Sequence, residues 1–257
     1  MTAETSIRYQ VSDRVAEIAL DRPPVNALSL AMLEELIAAL RRAAADDNVR
    51  AVLLASAVPA RFCAGLDLGM LLGRSASDIR PVLEALYVEL ADVQYALGKP
   101  SIAVVGGAAR GGGMTLAISC DVIVAGESAT FGYPEIHLGL VPAIHFVHLP
   151  RIVGRHRAFE LLFGGRSFDA AEAASLGLVS RVVPDENVAA DAKELALAFA
   201  AKSPSTMRLA RAAFMRANDL DYRRGVGHAV ELFCNVATTD DAQEGLRAFV
   251  EKRAPRW

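Results

Sequence analysis

The chain has 257 residues, 53% of them hydrophobic and 22% charged, and a formal net charge of −3. So apolar a composition excludes intrinsic disorder, and the near-neutral charge gives no electrostatic basis for binding nucleic acid or an anionic membrane surface. The longest apolar runs, such as residues 51–55 and 102–105, fall far short of a membrane span, and residues 1–5 lack the basic and apolar parts of a signal peptide, so the chain reads as cytoplasmic.

Residues 7–11 and 15–20 read as a hairpin around Ser12-Asp13-Arg14. Ser29 is placed to cap a helix in which Leu30, Leu33, Leu36, Ile37 and Leu40 share one face. Residues 49–56, 101–105 and 122–125 are short and almost wholly apolar. Strands apolar on both faces imply a sheet covered on both sides, which is α/β layering. Within residues 69–98, Leu83, Leu86, Tyr87 and Leu90 recur at helical spacing. Beyond Pro184 the pattern becomes helix upon helix, at residues 186–201, 205–218, 222–237 and 240–252. The chain therefore divides into an α/β core, residues 1–184, and a helical region, residues 185–257. Cys63, Cys120 and Cys234 are widely spaced and without a CxxC pair, so they read as reduced thiols, Cys63 as a small buried hydrophobe.

Two glycine-bearing stretches carry chemistry: Phe62-Cys63-Ala64-Gly65-Leu66-Asp67-Leu68 and Gly111-Gly112-Gly113-Met114-Thr115. Each reads as a tight turn into a helix that leaves a backbone N–H pointing outward, and two such groups converging on one oxygen make an oxyanion hole. A third stretch, Phe131-Gly132-Tyr133-Pro134-Glu135-Ile136, supplies a carboxylate. Pro134 presents Glu135 at a turn, and Phe131, Ile136, Leu138 and Leu140 would raise its pKa toward neutrality as befits a general base. Read in isolation, Glu135 is a surface glutamate capping the next segment.

In this order the three stretches resemble the crotonase, or enoyl-CoA hydratase/isomerase, superfamily, over about residues 7–257. The resemblance implies a ClpP/crotonase-like α/β fold of repeated ββα units with a C-terminal helical trimerisation region, assembled as a homotrimer or dimer of trimers. It implies an acyl-CoA thioester substrate, with coenzyme A entering as part of that substrate and no metal or redox cofactor. It assigns the oxyanion donors to the N–H groups of Leu66 and Gly112, and makes the start of residues 69–98 a lid. It places the CoA end against Val25, in the loop Pro24-Val25-Asn26, and against Ala64, Asp67 and Leu68. Phe249 and Lys252 would reach the CoA of an adjacent subunit.

The sequence departs from that family at two places. Well-studied hydratases of the superfamily carry a second glutamate where this chain has Thr115. Threonine orients water but is no general acid or base near neutral pH. One carboxylate then remains, which fits single-glutamate hydratases and enoyl-CoA isomerases alike. In the segment 138–149, bulky Ile144, His145 and Phe146 stand where the common pattern has small glycines, which resembles the subgroup acting on branched or functionalised acyl-CoAs and tilts the reading toward hydration of a 2-enoyl-CoA. His145 or His148 could replace the missing acid, although each read alone is a helix-surface or satisfied core histidine. His137, His145 and His148 have no carboxylate or cysteine in register for a metal site.

Two rival readings remain. Gly106-Gly107-Ala108-Ala109-Arg110-Gly111 does not match GxGxxG, which argues against a dinucleotide oxidoreductase. A non-catalytic acyl-CoA-binding protein is compatible with the fold, but retention of Glu135 argues against it.

Overall fold

In the computed structural model, which describes residues 5–218 and 222–256, strands and helices alternate as far as Val183 and the chain is helical beyond. The strands are β1 (Ile7–Ser12), β2 (Val15–Leu20), β3 (Ala51–Ser56), β4 (Arg61–Cys63), β5 (Ser101–Val105), β6 (Ala108–Arg110), β7 (Val122–Gly126), β8 (Thr130–Gly132), β9 (Ser167–Asp169) and β10 (Arg181–Val183). The helices are α1 (Leu30–Ala45), α2 (Ala76–Leu83), α3 (Leu90–Ala96), α4 (Gly112–Ser119), α5 (His145–Val153), α6 (Arg155–Gly164), α7 (Ala170–Ser175), α8 (Val188–Ala200), α9 (Pro204–Asn218), α10 (Tyr222–Ala237) and α11 (Asp240–Val250). None of the described helices is long and apolar enough to cross a membrane.

The large sheet has the order β1-β2-β3-β5-β7-β10, antiparallel only at the β1–β2 hairpin. The small sheet has the order β4-β6-β8-β9, with β4, β6 and β8 parallel. Each of the pairs β3/β4, β5/β6 and β7/β8 sends its first strand to the large sheet and its second to the small one, so one ββ unit recurs in the same spatial order. Because parallel strands end on the same side, the residues that follow β4, β6 and β8 emerge together. Those residues are the three stretches singled out above.

Alternation along the strands explains the layering. Ile18, Leu20, Val52, Leu54, Ala103, Val105, Ile123 and Ala125 face the main core with α1 and α4. Val15, Ala51, Leu53, Ile102, Val104 and Val124 face the other way, onto Ala192, Ala196 and Ala200 of α8. The first helix beyond Pro184 is thus the second covering layer of the large sheet. On the core side, Ser29 caps α1 by accepting from the Met32 N–H at 3.2 Å, and Leu33, Leu36, Ile37 and Leu40 are buried.

Residues 69–98 are helical from Ala76, but not uniformly. Glu84–Glu89, between α2 and α3, widens to π-type winding and carries Leu86 and Tyr87 toward the site. Ahead of α2, Gln243 of α11 accepts from the Gly73 N–H at 2.7 Å and donates to the Leu71 carbonyl at 3.3 Å. The expected lid segment is therefore tied to the last helix.

Candidate active site

Leu28 lies as a strand-like bridge opposite Leu66: its N–H donates to the Gly65 carbonyl at 2.7 Å, and its carbonyl accepts from the Asp67 N–H at 2.9 Å. Those bonds use the groups flanking Leu66, so the Leu66 N–H is turned the other way and donates to no backbone carbonyl among the described residues. Gly112 opens α4, where the first N–H groups have no acceptor within the helix. The two turns touch: a Cβ built on Gly65 would lie 3.2 Å from the Gly112 nitrogen and 2.9 Å from the Arg110 carbonyl oxygen. With φ of +93°, Gly65 is a position that only glycine fills without strain. Leu66 and Gly112 thus stand on adjacent turns at the ends of β4 and β6, and both line one cavity.

Glu135 follows β8 in a short 3-10 turn, Pro134–Leu138. A Cβ on Gly111 would come within 2.6 Å of its Oε1, so the carboxylate lies against the turn that leads into Gly112. Its Oε2 is buried and has no hydrogen-bond partner among the described residues. Burial pushes the carboxyl up to about 7, with only its own backbone N–H pulling the other way. The nearby phenols stay uncharged: Tyr87 and the fully buried Tyr133 are each held protonated by burial and by proximity to Glu135. A cavity of about 420 Å³ runs past Leu66, Gly112 and Glu135, and its walls include Leu86, Leu138, Leu140 and Phe233.

Thr115 does not belong to that lining. It is 3% exposed, and its Oγ1 lies 3.2 Å from His145 Nε2, on the first turn of α5. The same nitrogen lies 3.4 Å from the Gly111 carbonyl, and His145 Nδ1 lies 2.8 Å from His148 Nε2. Burial drives His145 well below its ordinary pKa, with His148 adding to the effect; burial and then Arg151 lower His148 to about 4. Burial thus favours the neutral form of both rings, and neither histidine lines the cavity.

A model of the enoyl-CoA hydratase/isomerase family matches residues 10–257. The chain belongs to that family. A probable enoyl-CoA hydratase of Mycobacterium tuberculosis is 36% identical over 260 residues, spanning 100% of this chain and 99% of the relative. An enoyl-CoA hydratase/isomerase crystal structure from Xanthobacter autotrophicus superposes with a TM-score of 0.87 at 31% identity, over 96% of this chain and 97% of that one. The human mitochondrial delta3-delta2-enoyl-CoA isomerase superposes with a TM-score of 0.85 at 28% identity, with the same coverage. The fold is the crotonase fold.

Within this family member, the residues expected at the CoA end are brought to the cavity: Val25, Ala64, Asp67 and Leu68 all line it. The Asp67 carboxylate is already engaged, accepting from Arg22 Nη2 at 2.9 Å and from the Gly69 N–H at 3.2 Å, so it shapes the turn as well as the wall. Phe249 also lines the cavity of its own chain. The cause is the docking of α11 on the Glu135 turn, where Gly245 leaves no room for a Cβ beside the Leu138 carbonyl. Lys252 lies beyond the lining, in a left-handed turn after α11. Sequence reasoning missed Phe233, because nothing in the sequence ties α10 to this cavity. It also missed the histidine relay, although the His145-x-x-His148 spacing, one helical turn, was the available signal. His137 stands apart from that pair, its Nε2 3.2 Å from the Gly165 carbonyl. Cys63 is the expected buried hydrophobe: its Sγ–H donates to the Asn26 carbonyl at 3.1 Å, and burial pushes the thiol up to about 12.

Proposed function

We propose that the chain hydrates a 2-enoyl-CoA thioester with one carboxylate. The observation that carries the reading is Glu135, its buried Oε2 unpartnered among the described residues, on one cavity with Leu66 and Gly112, whose N–H groups have no backbone acceptor among those residues. The thioester carbonyl would lie between the Leu66 and Gly112 donors, which stabilise the enolate that forms when a nucleophile adds at C3. Glu135 would take a proton from the attacking water and return it to C2, so that one group serves both halves of the addition. The steps add the elements of water with no net oxidation or reduction, so they call for no redox cofactor, and coenzyme A arrives with the substrate.

A second reading is favoured by the placement of Thr115 against His145, which leaves Glu135 as the carboxylate beside Gly111 with no second one from α4. Glu135 would then carry a proton from C2 to C4 of a 3-enoyl-CoA and shift the double bond. Product mass spectrometry over a panel of 2-enoyl- and 3-enoyl-CoAs separates the two. A gain of one water that vanishes in Glu135→Gln is the expected outcome; unchanged mass with a moved double bond would establish the isomerase. CoA binding without turnover would leave a non-catalytic acyl-CoA-binding protein. We also propose a trimer or dimer of trimers, supported by Leu209, Phe214 and Phe159, each more than 60% exposed. Sedimentation velocity giving a single-chain species would end that part.

A further inference from the structure

Resting on the reading just given, the geometry points to His145 as a positioning residue that aims the Gly112 N–H by holding the Gly111–Gly112 peptide from behind, with Thr115 and His148 fixing its ring. A trans peptide is planar, with its C=O and the following N–H antiparallel. Whatever fixes the direction of the Gly111 carbonyl therefore fixes the direction of the Gly112 N–H. That carbonyl accepts from the Met114 and Thr115 N–H groups, at 2.9 and 3.2 Å, and His145 Nε2 approaches it at 3.4 Å. Gly111 needs such support because it caps α4 at φ +48° and ψ −113° with no side chain of its own.

The Gly111 carbonyl only accepts, so for His145 to hold it the ring proton must sit on Nε2, where it also meets Thr115 Oγ1, 3.2 Å away. Nδ1 of His145 then accepts from the His148 Nε2–H at 2.8 Å. The Tyr133 ring, 4.4 Å from the His145 ring centre, closes the remaining side. The groups facing this relay are Thr115, Tyr133 and the two histidines, with Arg151 the charge nearest His148. Thr115, His145 and His148 lie outside the cavity lining and behind the Gly111–Gly112 peptide, so the position vacated by the family's second glutamate is placed to support the oxyanion donor.

The test uses the full chain, with His145→Leu, His145→Gln and Thr115→Val. The probe is a para-dimethylaminocinnamoyl thioester of CoA, whose absorption moves to the red when its carbonyl is polarised. His145→Leu is expected to retain binding within threefold, lose most of the red shift, and lower kcat roughly tenfold to a hundredfold with little change in KM, a part of the 10²–10³ that a lost oxyanion donor costs. His145→Gln, which keeps an N–H donor, should recover part of both, and the pH profile should keep its single midpoint. An unchanged red shift in His145→Leu overturns the proposal, as does loss of a second limb of the pH profile, which would make His145 an acid or base. If His145→Leu does not fold, Thr115→Val and His145→Gln carry the same comparison. The Gly112 amide 15N shift of the ligand-free protein is the readout independent of turnover. It should move in the variants even if the parent hydrates nothing, which separates failure of this proposal from failure of the hydratase reading.

Discussion

Burial of Glu135 acts on catalysis and stability in opposite directions. A carboxyl near 7 is a stronger base than one in water, and it must be ionised to act, so turnover should rise with pH around that value. Glu135→Gln should lower kcat by roughly 10²–10⁴. The stability argument runs through the unfolded chain, where the carboxyl returns to its ordinary value of 4.5. Below that pH both states hold the proton and there is no penalty. Between 4.5 and about 7 the unfolded chain releases the proton while the native state keeps it, so stability falls as pH rises. Above 7 the penalty is constant, on the order of 3 kcal/mol. Glutamine never ionises, so Glu135→Gln should melt roughly 5–10 °C above the parent at pH 8 and level with it near pH 4. Equal melting at pH 8 would mean that the carboxylate finds compensating donors on ionisation. The proposed base was legible from Pro134 and its apolar neighbours; the approach of its carboxylate to Gly111 was not, because it joins the ends of two different strands.

At the level of elements, α11 decides how the cavity is closed. Gly245 lets it pack on the Leu138 backbone, Gln243 ties it to Leu71 and Gly73, and Phe249 is thereby delivered to the cavity while staying 58% exposed. A side chain half in water has more apolar surface to lose when substrate covers it. Phe249→Ala should therefore raise KM about fivefold, which corresponds to about 1 kcal/mol of lost contact, with kcat and melting temperature little changed. Steady-state kinetics and a thermal melt check this, and an unchanged KM would place the substrate clear of α11. The existence of α11, of α1 and of the apolar strands was readable because periodicity reports which face of an element is apolar. It does not report what that face meets, so the destination of Phe249 in its own chain had to come from the packing of Gly245. The π-type winding at Glu84–Glu89 was hidden for a related reason: Leu83, Leu86, Tyr87 and Leu90 fit a regular helix equally well.

Across the whole molecule, the recurring ββ unit explains why sites far apart in sequence converge. Leu66, Gly112 and Glu135 each follow a parallel strand of the same small sheet, so the sheet order and not any local motif sets their spacing. The order of motifs was legible, and the strand order was not, since pairing between β4, β6 and β8 leaves no periodic trace in segments of three residues. The same sheet logic leaves α9 to be anchored by charge. Arg211, 7% exposed, donates to Asp121 at 2.9 Å and to the Gln94 and Tyr95 carbonyls at 2.7 and 3.2 Å. Asp121 also accepts from the Ser101 N–H at 2.8 Å, so one carboxylate links the start of β5, the end of α4 and α9. Removing the cation alone strands a partly buried carboxylate, a cost of about 3–5 kcal/mol when burial is complete and less here because Asp121 retains some exposure. Arg211→Met is accordingly expected to lower stability by about 2–3 kcal/mol in denaturant unfolding. Arg211→Met with Asp121→Asn should lose less than the two single substitutions added together, since the stranded charge is gone. Strict additivity in that cycle would mean that α9 is held by its carbonyl contacts and the ion pair contributes nothing of its own.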